Sequence, residues 1–157
     1  MGMYPGQPAP QSEPGSAVSA GDWWPPIDCN AARGVLRLGD VVSHERLVNA
    51  LRGALVTVLG ELAAWKAAQI EAGFTRLADV APDDVIDDVT ILELQFIRAV
   101  QFAAAAELAE QYRAITATNE ANARADAQEL TAADYRRMAT HAVRDIIGET
   151  RTAVELI

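Results

Sequence analysis

A chain of 157 residues, half of them hydrophobic, is long enough for one domain around a single core. Its formal net charge of −9 and its dispersed basic residues exclude a protein that binds nucleic acid over its surface, because such binding requires clustered Lys and Arg. The single cysteine, Cys29, excludes an intramolecular disulfide, and the sequence shows no signal peptide and no membrane-spanning run. We therefore expect a soluble protein with no cofactor, no metal site and no membrane association.

The first 26 residues predict an extended arm. Six prolines and four glycines interrupt this segment, and Pro lacks the N–H group that a helix interior requires. A free tail is the simpler interpretation of such a composition. Trp23 and Trp24 argue against it, because two adjacent tryptophans are costly to leave in water and should dock on something. Both are therefore candidate partner contacts.

A short helix is predicted over about 28–38 and a first long helix over about 44–72. Asp28 and Ser43 are the expected N-caps, because their side-chain oxygens can accept from the free N–H groups of a first turn. Gly73 is expected to end the long helix, since Gly reaches the left-handed region at little cost. An apolar stripe at helical spacing runs along the long helix: Leu47, Leu51, Ala54, Leu55, Val58, Leu62, Trp65 and Gln69 or Ile70.

Two glycines inside this long helix predict a close approach of another backbone. Gly53 and Gly60 lie seven residues apart, on one side of the helix. Each costs about 1 kcal/mol relative to Ala in a helix interior, so their presence calls for a packing reason. The expected neighbour is the stretch 103–106, four alanines with almost no side-chain bulk.

A connector over 74–84 is kept out of a helix by Pro82 and leads to an acidic segment. The segment contains Asp83, Asp84, Asp87 and Asp88. A cation site is one interpretation, but the spacing of a calcium loop is missing. Helix capping with a favourable dipole interaction is the preferred interpretation.

Two further long helices are expected, over about 88–117 and about 121–147. Asn119 is a possible cap for the last helix, and Gly148 is its expected stop. The first of the two carries apolar residues at helical spacing: Ile91, Leu94, Ile97, Val100, Ala104, Leu108, Tyr112 and Ile115. The second carries Ala127, Leu130, Tyr135, Met138, Ala142 and Ile146.

The last residues, 150–157, predict an extended tail, because they show period-2 character through Thr152, Val154 and Leu156. Two interpretations remain open. The tail packs on its own bundle, or it adds as a strand or inserts into a groove on a neighbour. The second interpretation makes Val154, Leu156 and Ile157 candidate partner contacts.

These elements predict an all-α fold: a bundle of three long helices plus a short N-terminal helix. The helical domain spans 27–149, between an extended arm over 1–26 and an extended tail over 150–157. No catalytic constellation accompanies it, since neither His44 nor His141 is paired by spacing with a nucleophile, and no phosphate-binding glycine loop occurs. We therefore expect a structural assembly protein with no catalytic residues, not an enzyme.

Residues 71–80, EAGFTRLADV, closely resemble a loop in the head completion protein family of Peduovirus-type contractile-tailed phages. Other segments with similar residues follow in the same order. Residues 24–28 resemble the segment that leads into the family's first helix, and residues 98–100 and 110–113 fall where its second helix has similar residues. The apolar end over 150–157 is similar as well.

The resemblance covers about residues 23–157 and implies a function after DNA packaging. Members of the family join the portal vertex of the filled head and prepare it for tail attachment. Relatives of this kind are adaptors that form a ring, typically of twelve copies, through which DNA passes without sequence-specific binding. The implied partners are other copies, the portal protein and a neck or tail-terminator protein. The implied location is the head–tail junction of the virion, after assembly in the host cytoplasm.

The loop residues Phe74 and Arg76 thereby join the candidate partner contacts. One alternative from another class stays open. An acidic, Ala-rich bundle could be a small regulatory or chaperone-like module that shields a basic partner, and such a protein would be absent from mature particles.

Overall fold

The computed structural model describes residues 12–38, 42–116 and 130–148, and in these ranges the protein is mostly helical. The helices are α1 (Cys29–Leu36), α2 (His44–Glu71), α3 (Ile91–Thr116) and α4 (Ala132–Ile147). Two short antiparallel pairs join β1 (Ala17–Val18) to β2 (Ile27–Asp28), and β3 (Val85–Ile86) to β4 (Val89–Thr90). The sequence predicted the helices but neither of these strand pairs.

The predicted caps of the first two helices are confirmed. Asp28 Oδ1 accepts from the N–H of Ala31 at 2.6 Å, and Ser43 Oγ accepts from the N–H of Arg46 at 3.2 Å. Gly73 follows the last turn of α2 with a φ of 101°, a conformation that a side chain would disfavour. Composition and spacing therefore located both ends of α2 to within one residue.

The last helix begins later than predicted, because its cap is Thr131. Thr131 Oγ1 accepts from the N–H of Asp134 at 3.2 Å, and Asp134 Oδ2 accepts from the N–H of Thr131 at 3.0 Å. This capping box satisfies two groups that a helix start leaves free. Gly148 ends the helix with a φ of 82°, as predicted. Asn119 lies outside the described residues.

The acidic start predicted for the second long helix is wrong. Asp87 and Asp88 instead form the two-residue turn between β3 and β4, with φ values of 50° and 62°. Such a turn needs the left-handed region at both positions, which Asp tolerates better than most residues. The N–H of Glu93 donates to Thr90 Oγ1 at 3.2 Å, and Glu93 Oε2 accepts from the N–H of Thr90 at 3.1 Å. The helix therefore begins at Ile91.

The core lies where α3 packs against both α2 and α4. The predicted stripe of α2 is buried from Leu47 to Leu62, but it is wrong at its end, where Ile70 is exposed. The stripe predicted for α3 fails at its ends, because Ile91 and Tyr112 are exposed while Phe96, which it omitted, is fully buried. A helix covered on two sides has no single apolar stripe, so its periodicity misleads.

α2 is, among the described helices, the one long and apolar enough to cross a membrane by length and composition alone. Core helices of soluble proteins meet the same criteria. Seven α2 residues are buried inside this protein: Leu47, Ala50, Leu51, Ala54, Leu55, Val58 and Leu62. We therefore treat α2 as a core helix.

The two glycines of α2 have different surroundings. A Cβ atom at Gly53 would lie 2.8 Å from Oε2 of Glu107 on α3, whereas a Cβ atom at Gly60 would meet nothing within 4 Å. The predicted approach of another backbone is therefore wrong at both glycines, since a side chain makes the contact at Gly53 and nothing makes one at Gly60.

Candidate functional site

The described part of the predicted arm packs on the helices. The N–H of Cys29 donates to the carbonyl of Ser16 at 2.9 Å, beside the β1–β2 pair. Asn30 Nδ2 donates to the carbonyls of Ser12 and Glu13 at 3.1 and 3.2 Å. The extended arm predicted over 1–26 thus holds a folded part from residue 12 onward, and residues 1–11 lie outside the described ranges.

A buried arginine joins the arm to α1 and α2. Arg33 is 8% exposed. Its Nη1 donates to the carbonyl of Val42 at 2.9 Å and its Nε donates to Ser12 Oγ at 3.4 Å, while His44 Nδ1 lies 2.7 Å from the same Oγ. Sequence reasoning missed this cluster, because nothing in the spacing separates Arg33 from twelve other cations. Its geometry fixes three segments together. It also places the Ser12 hydroxyl beside the His44 ring, but Ser12 is buried, 4% exposed, so this hydroxyl is not presented to a substrate.

Trp23 and Trp24, the first predicted partner contacts, lie in the core of their own chain. Trp24 is 4% exposed and stacks on Phe96, with ring centroids 4.5 Å apart and an interplanar angle of 13°. Trp23 meets Trp65 edge-on at 6.0 Å. Lys66 Nζ lies 5.5 and 5.6 Å from the two indole centroids, within cation–π range. The chain itself therefore removes both indoles from water and leaves little of their surface for a partner.

The tryptophans also hold the loop that follows α2. The carbonyl of Trp23 accepts from the N–H of Leu77 at 3.0 Å, and the Leu77 side chain is fully buried. This contact joins two segments that lie some fifty residues apart in the chain. It fixes the middle of the loop, which forms a single 3₁₀ turn over Leu77–Asp79.

Phe74 and Arg76, the loop residues predicted to contact partners, lie at the surface. Phe74 is half-buried, and the Arg76 guanidinium is exposed and pairs with Asp79 at 3.1 Å. Hydrogen bonds from Arg76 hold the pKa of the Asp79 carboxyl below its usual range. An exposed ion pair of this kind contributes little to stability. Because Arg76 is exposed and Phe74 is only half-buried, both side chains remain accessible to another protein.

An open groove of about 260 Å³ runs over α3 between α2 and α4. Small residues line it, among them Gly53, Ala54, Ala103, Ala106 and Ala139. Its rim carries Glu61, Glu107 and Glu110, and Glu110 forms an ion pair with Arg136. No group of three or more His, Cys, Asp or Glu side chains within 12–38, 42–116 and 130–148 is arranged to hold a metal ion.

The remaining predicted contacts, Val154, Leu156 and Ile157, lie outside the described residues. The structure therefore brings together Trp23, Trp24 and the loop that carries Phe74 and Arg76, with the two indoles beneath and the two loop residues at the surface.

Comparison with known proteins adds two similarities. The sequence model of the family described as phage head completion protein (GPL) matches residues 18–157. The head completion/stabilization protein of Escherichia phage P2 is 35% identical to this chain over 166 residues, and the similarity covers 99% of this chain and 98% of that protein. No solved structure matches the chain. Both matched regions span the tryptophan pair, the loop over 71–80 and the C-terminal tail.

Proposed function

The chain belongs to the family of phage head completion proteins, and from this premise we propose that it acts at the head–tail junction of the virion. Membership alone makes it a structural component of a tailed-phage particle that contacts other head or tail proteins. The observation that carries the finer proposal is the nearly full-length similarity to a relative whose own name states head completion and stabilization.

We propose that identical subunits form a ring, typically of twelve copies, that joins the portal protein to a neck or tail-terminator protein. A closed ring needs two different faces on each subunit that fit one another. Taken as one bundle, α2, α3 and α4 supply long side faces for such contacts. The loop residues Phe74 and Arg76 and the tail residues Val154, Leu156 and Ile157 are the proposed contacts with partners.

Trp23 and Trp24 have an indirect function in this proposal. The main-chain carbonyl of Trp23 holds the loop through its hydrogen bond from the N–H of Leu77, and the buried rings would keep that carbonyl in place. They would position Phe74 and Arg76 and would not touch a partner themselves.

The charge of the chain supports a passage for DNA. A net charge of −9 on each subunit, repeated around a channel, would repel DNA phosphate and favour sliding over sticking. The only adjacent basic pair in the sequence, Arg136 and Arg137, is engaged in ion pairs with Glu110 and Asp134. DNA would therefore pass without sequence-specific binding.

Electron microscopy of the purified protein mixed with the portal of the same phage tests the proposal. We expect a ring seated on the portal, and a variant that lacks residues 150–157 should keep its helical circular dichroism while it assembles more weakly. Loss of helicity in that variant would instead make the tail part of the core. A protein that stays monomeric and never associates with portal would contradict the proposal.

The acid-rimmed groove favours one alternative, a regulatory or chaperone-like module that binds a basic partner. Such a module would form a soluble one-to-one complex and leave the mature particle. Mass spectrometry of purified virions separates the two functions, because a junction protein remains in the particle and a chaperone does not.

A further inference from the structure

The end of the molecule between α2 and α3 exposes an unusual share of apolar surface. Of the eight large hydrophobic side chains that are exposed in the described residues, four lie here: Ile70 (51%), Val85 (47%), Ile86 (55%) and Ile91 (41%). We call residues 70–93 the hairpin end. Single exposed apolar residues are ordinary, but a concentration of them marks a surface that another protein covers.

The same segment carries most of the net charge of the chain. Residues 70–93 contain seven acidic side chains and one basic side chain, a net charge of −6 where the whole chain has −9. The carboxylates nearest the exposed apolar pair, Asp83, Asp84, Asp87 and Asp88, are all exposed. A partner that covers Val85 and Ile86 must therefore approach these carboxylates as well.

The hairpin of β3 and β4 presents this surface from a fixed base. The N–H of Ile91 donates to the carbonyl of Asp84 at 2.8 Å, which joins the hairpin to the start of α3. Across the pair, Ile86 lies opposite Val89 and Val85 opposite Thr90, and of these four residues only Thr90 is buried. A hairpin of two residues per strand gains little stability alone, so the apolar pair brings no evident benefit to the isolated fold.

We propose that the hairpin end docks into an apolar recess bordered by Lys and Arg on a different virion protein. Val85 and Ile86 would fill the recess, and the aspartates around them would pair with the basic rim and select the partner. The inference rests on the proposed function and adds the chemistry of one contact surface.

A second copy of this chain is a poorer occupant. Two such ends, each with a charge of −6, repel each other, and the remaining residues of a second copy also carry a net negative charge, −9 less −6, or −3. Its one adjacent basic pair, Arg136 and Arg137, is already bonded to carboxylates of its own chain. Charge complementarity therefore favours a basic partner of a different sequence.

Binding measurements with two purified probes test the inference: the portal oligomer and the tail-side neck protein of the same phage. One variant, Val85→Thr with Ile86→Thr, removes apolar surface and keeps β-branched side chains. The other, Asp87→Asn with Asp88→Asn, removes charge and keeps residues that tolerate the turn. Matched controls lie at exposed positions outside the hairpin end: Val56→Thr, at a side chain 75% exposed, and Glu13→Gln.

We expect the apolar variant to raise the Kd for one probe by about tenfold, and the controls to change it by no more than about twofold. The charge variant should weaken binding at low salt and flatten its salt dependence, because screening already removes the attraction at high salt. Circular dichroism checks that each variant keeps its helices. If the apolar variant misfolds, the binding of the charge variant still tests the inference.

The outcomes separate the inference from the function on which it rests. Wild-type binding that both hairpin variants retain in full overturns the inference and leaves the function standing. Variants that lose self-association, with unchanged binding to both probes, also overturn it, because the occupant is then a second copy. Wild-type protein that binds neither probe contradicts the proposed function itself.

Discussion

Replacing Trp24 with Ala tests whether the tryptophan pair belongs to the core or to an interface. Trp24 is 4% exposed, and its ring stacks on that of Phe96. The sequence predicts that this side chain contacts a partner, whereas the structure places it in the core. The substitution therefore changes stability, assembly or both, and the two can be measured separately.

The expected loss follows from the buried area. A tryptophan buries about 150–250 Å², which at about 25 cal/mol per Å² corresponds to roughly 4–6 kcal/mol. Measured Trp and Phe truncations in cores cost about 3–5 kcal/mol, since part of the cavity collapses. We therefore expect Trp24→Ala to lower the free energy of unfolding by about 3–5 kcal/mol. For a chain of this size, the midpoint of thermal unfolding should fall by about 10 °C.

Urea unfolding followed by circular dichroism measures this loss. Trp24→Phe keeps a ring against Phe96 and should cost less, about 1–2 kcal/mol. Val56→Ala is the surface control, because a residue 75% exposed should change stability by no more than about 0.5 kcal/mol.

A loss below about 1 kcal/mol for Trp24→Ala would refute the reasoning, since no buried Trp in a packed core is so cheap to remove. If such a stable variant also failed to bind the portal, Trp24 would be an interface residue. A large loss of stability with portal binding retained at low temperature would establish the core function.

Three further predictions concern single residues. Gly60→Ala should raise the free energy of unfolding, measured by urea denaturation, by up to about 1 kcal/mol. Gly53→Ala should raise it less, because the new Cβ would lie 2.8 Å from Oε2 of Glu107. Cys29 should react slowly with a thiol reagent until the protein unfolds, because burial, and then the charge of Asp28, raise its pKa. Arg76→Ala should raise the Asp79 pKa seen by NMR. Since that pKa is lowered in the folded state, the contribution of Asp79 to stability is present above the ordinary aspartate range and is lost as pH falls through the lowered pKa.

Local chemistry is the part of the fold that could be predicted from the sequence. Asp28, Ser43, Gly73 and Gly148 each act within one helical turn, so their effect needs no knowledge of distant residues. The buried stripe of α2 could equally be predicted, because one face of that helix packs in the core and the other is exposed to solvent.

The errors have both local and tertiary causes. Thr90 and Glu93 form the capping box of α3, a local pair at Thr-x-x-Glu spacing, and with the cap formed there the aspartates before it form a turn. The burial of Arg33 depends on a carbonyl at Val42 and a hydroxyl at Ser12, neither of which any local pattern selects. The two strand pairs are too short for an alternating pattern to stand out.

The tryptophan pair and the loop over 71–80, read separately in the sequence, form one structural unit. The hydrogen bond from Leu77 to Trp23 ties them, and both the Leu77 side chain and the indoles are buried. The loop leads directly to the hairpin of β3 and β4, so a disturbance of the core beneath it reaches the surface that we propose for docking. Assembly defects of tryptophan variants must therefore be compared with those of Val85 and Ile86, which can weaken binding at unchanged stability. Only that comparison shows whether the tryptophans act by holding the loop in place or by touching the partner directly.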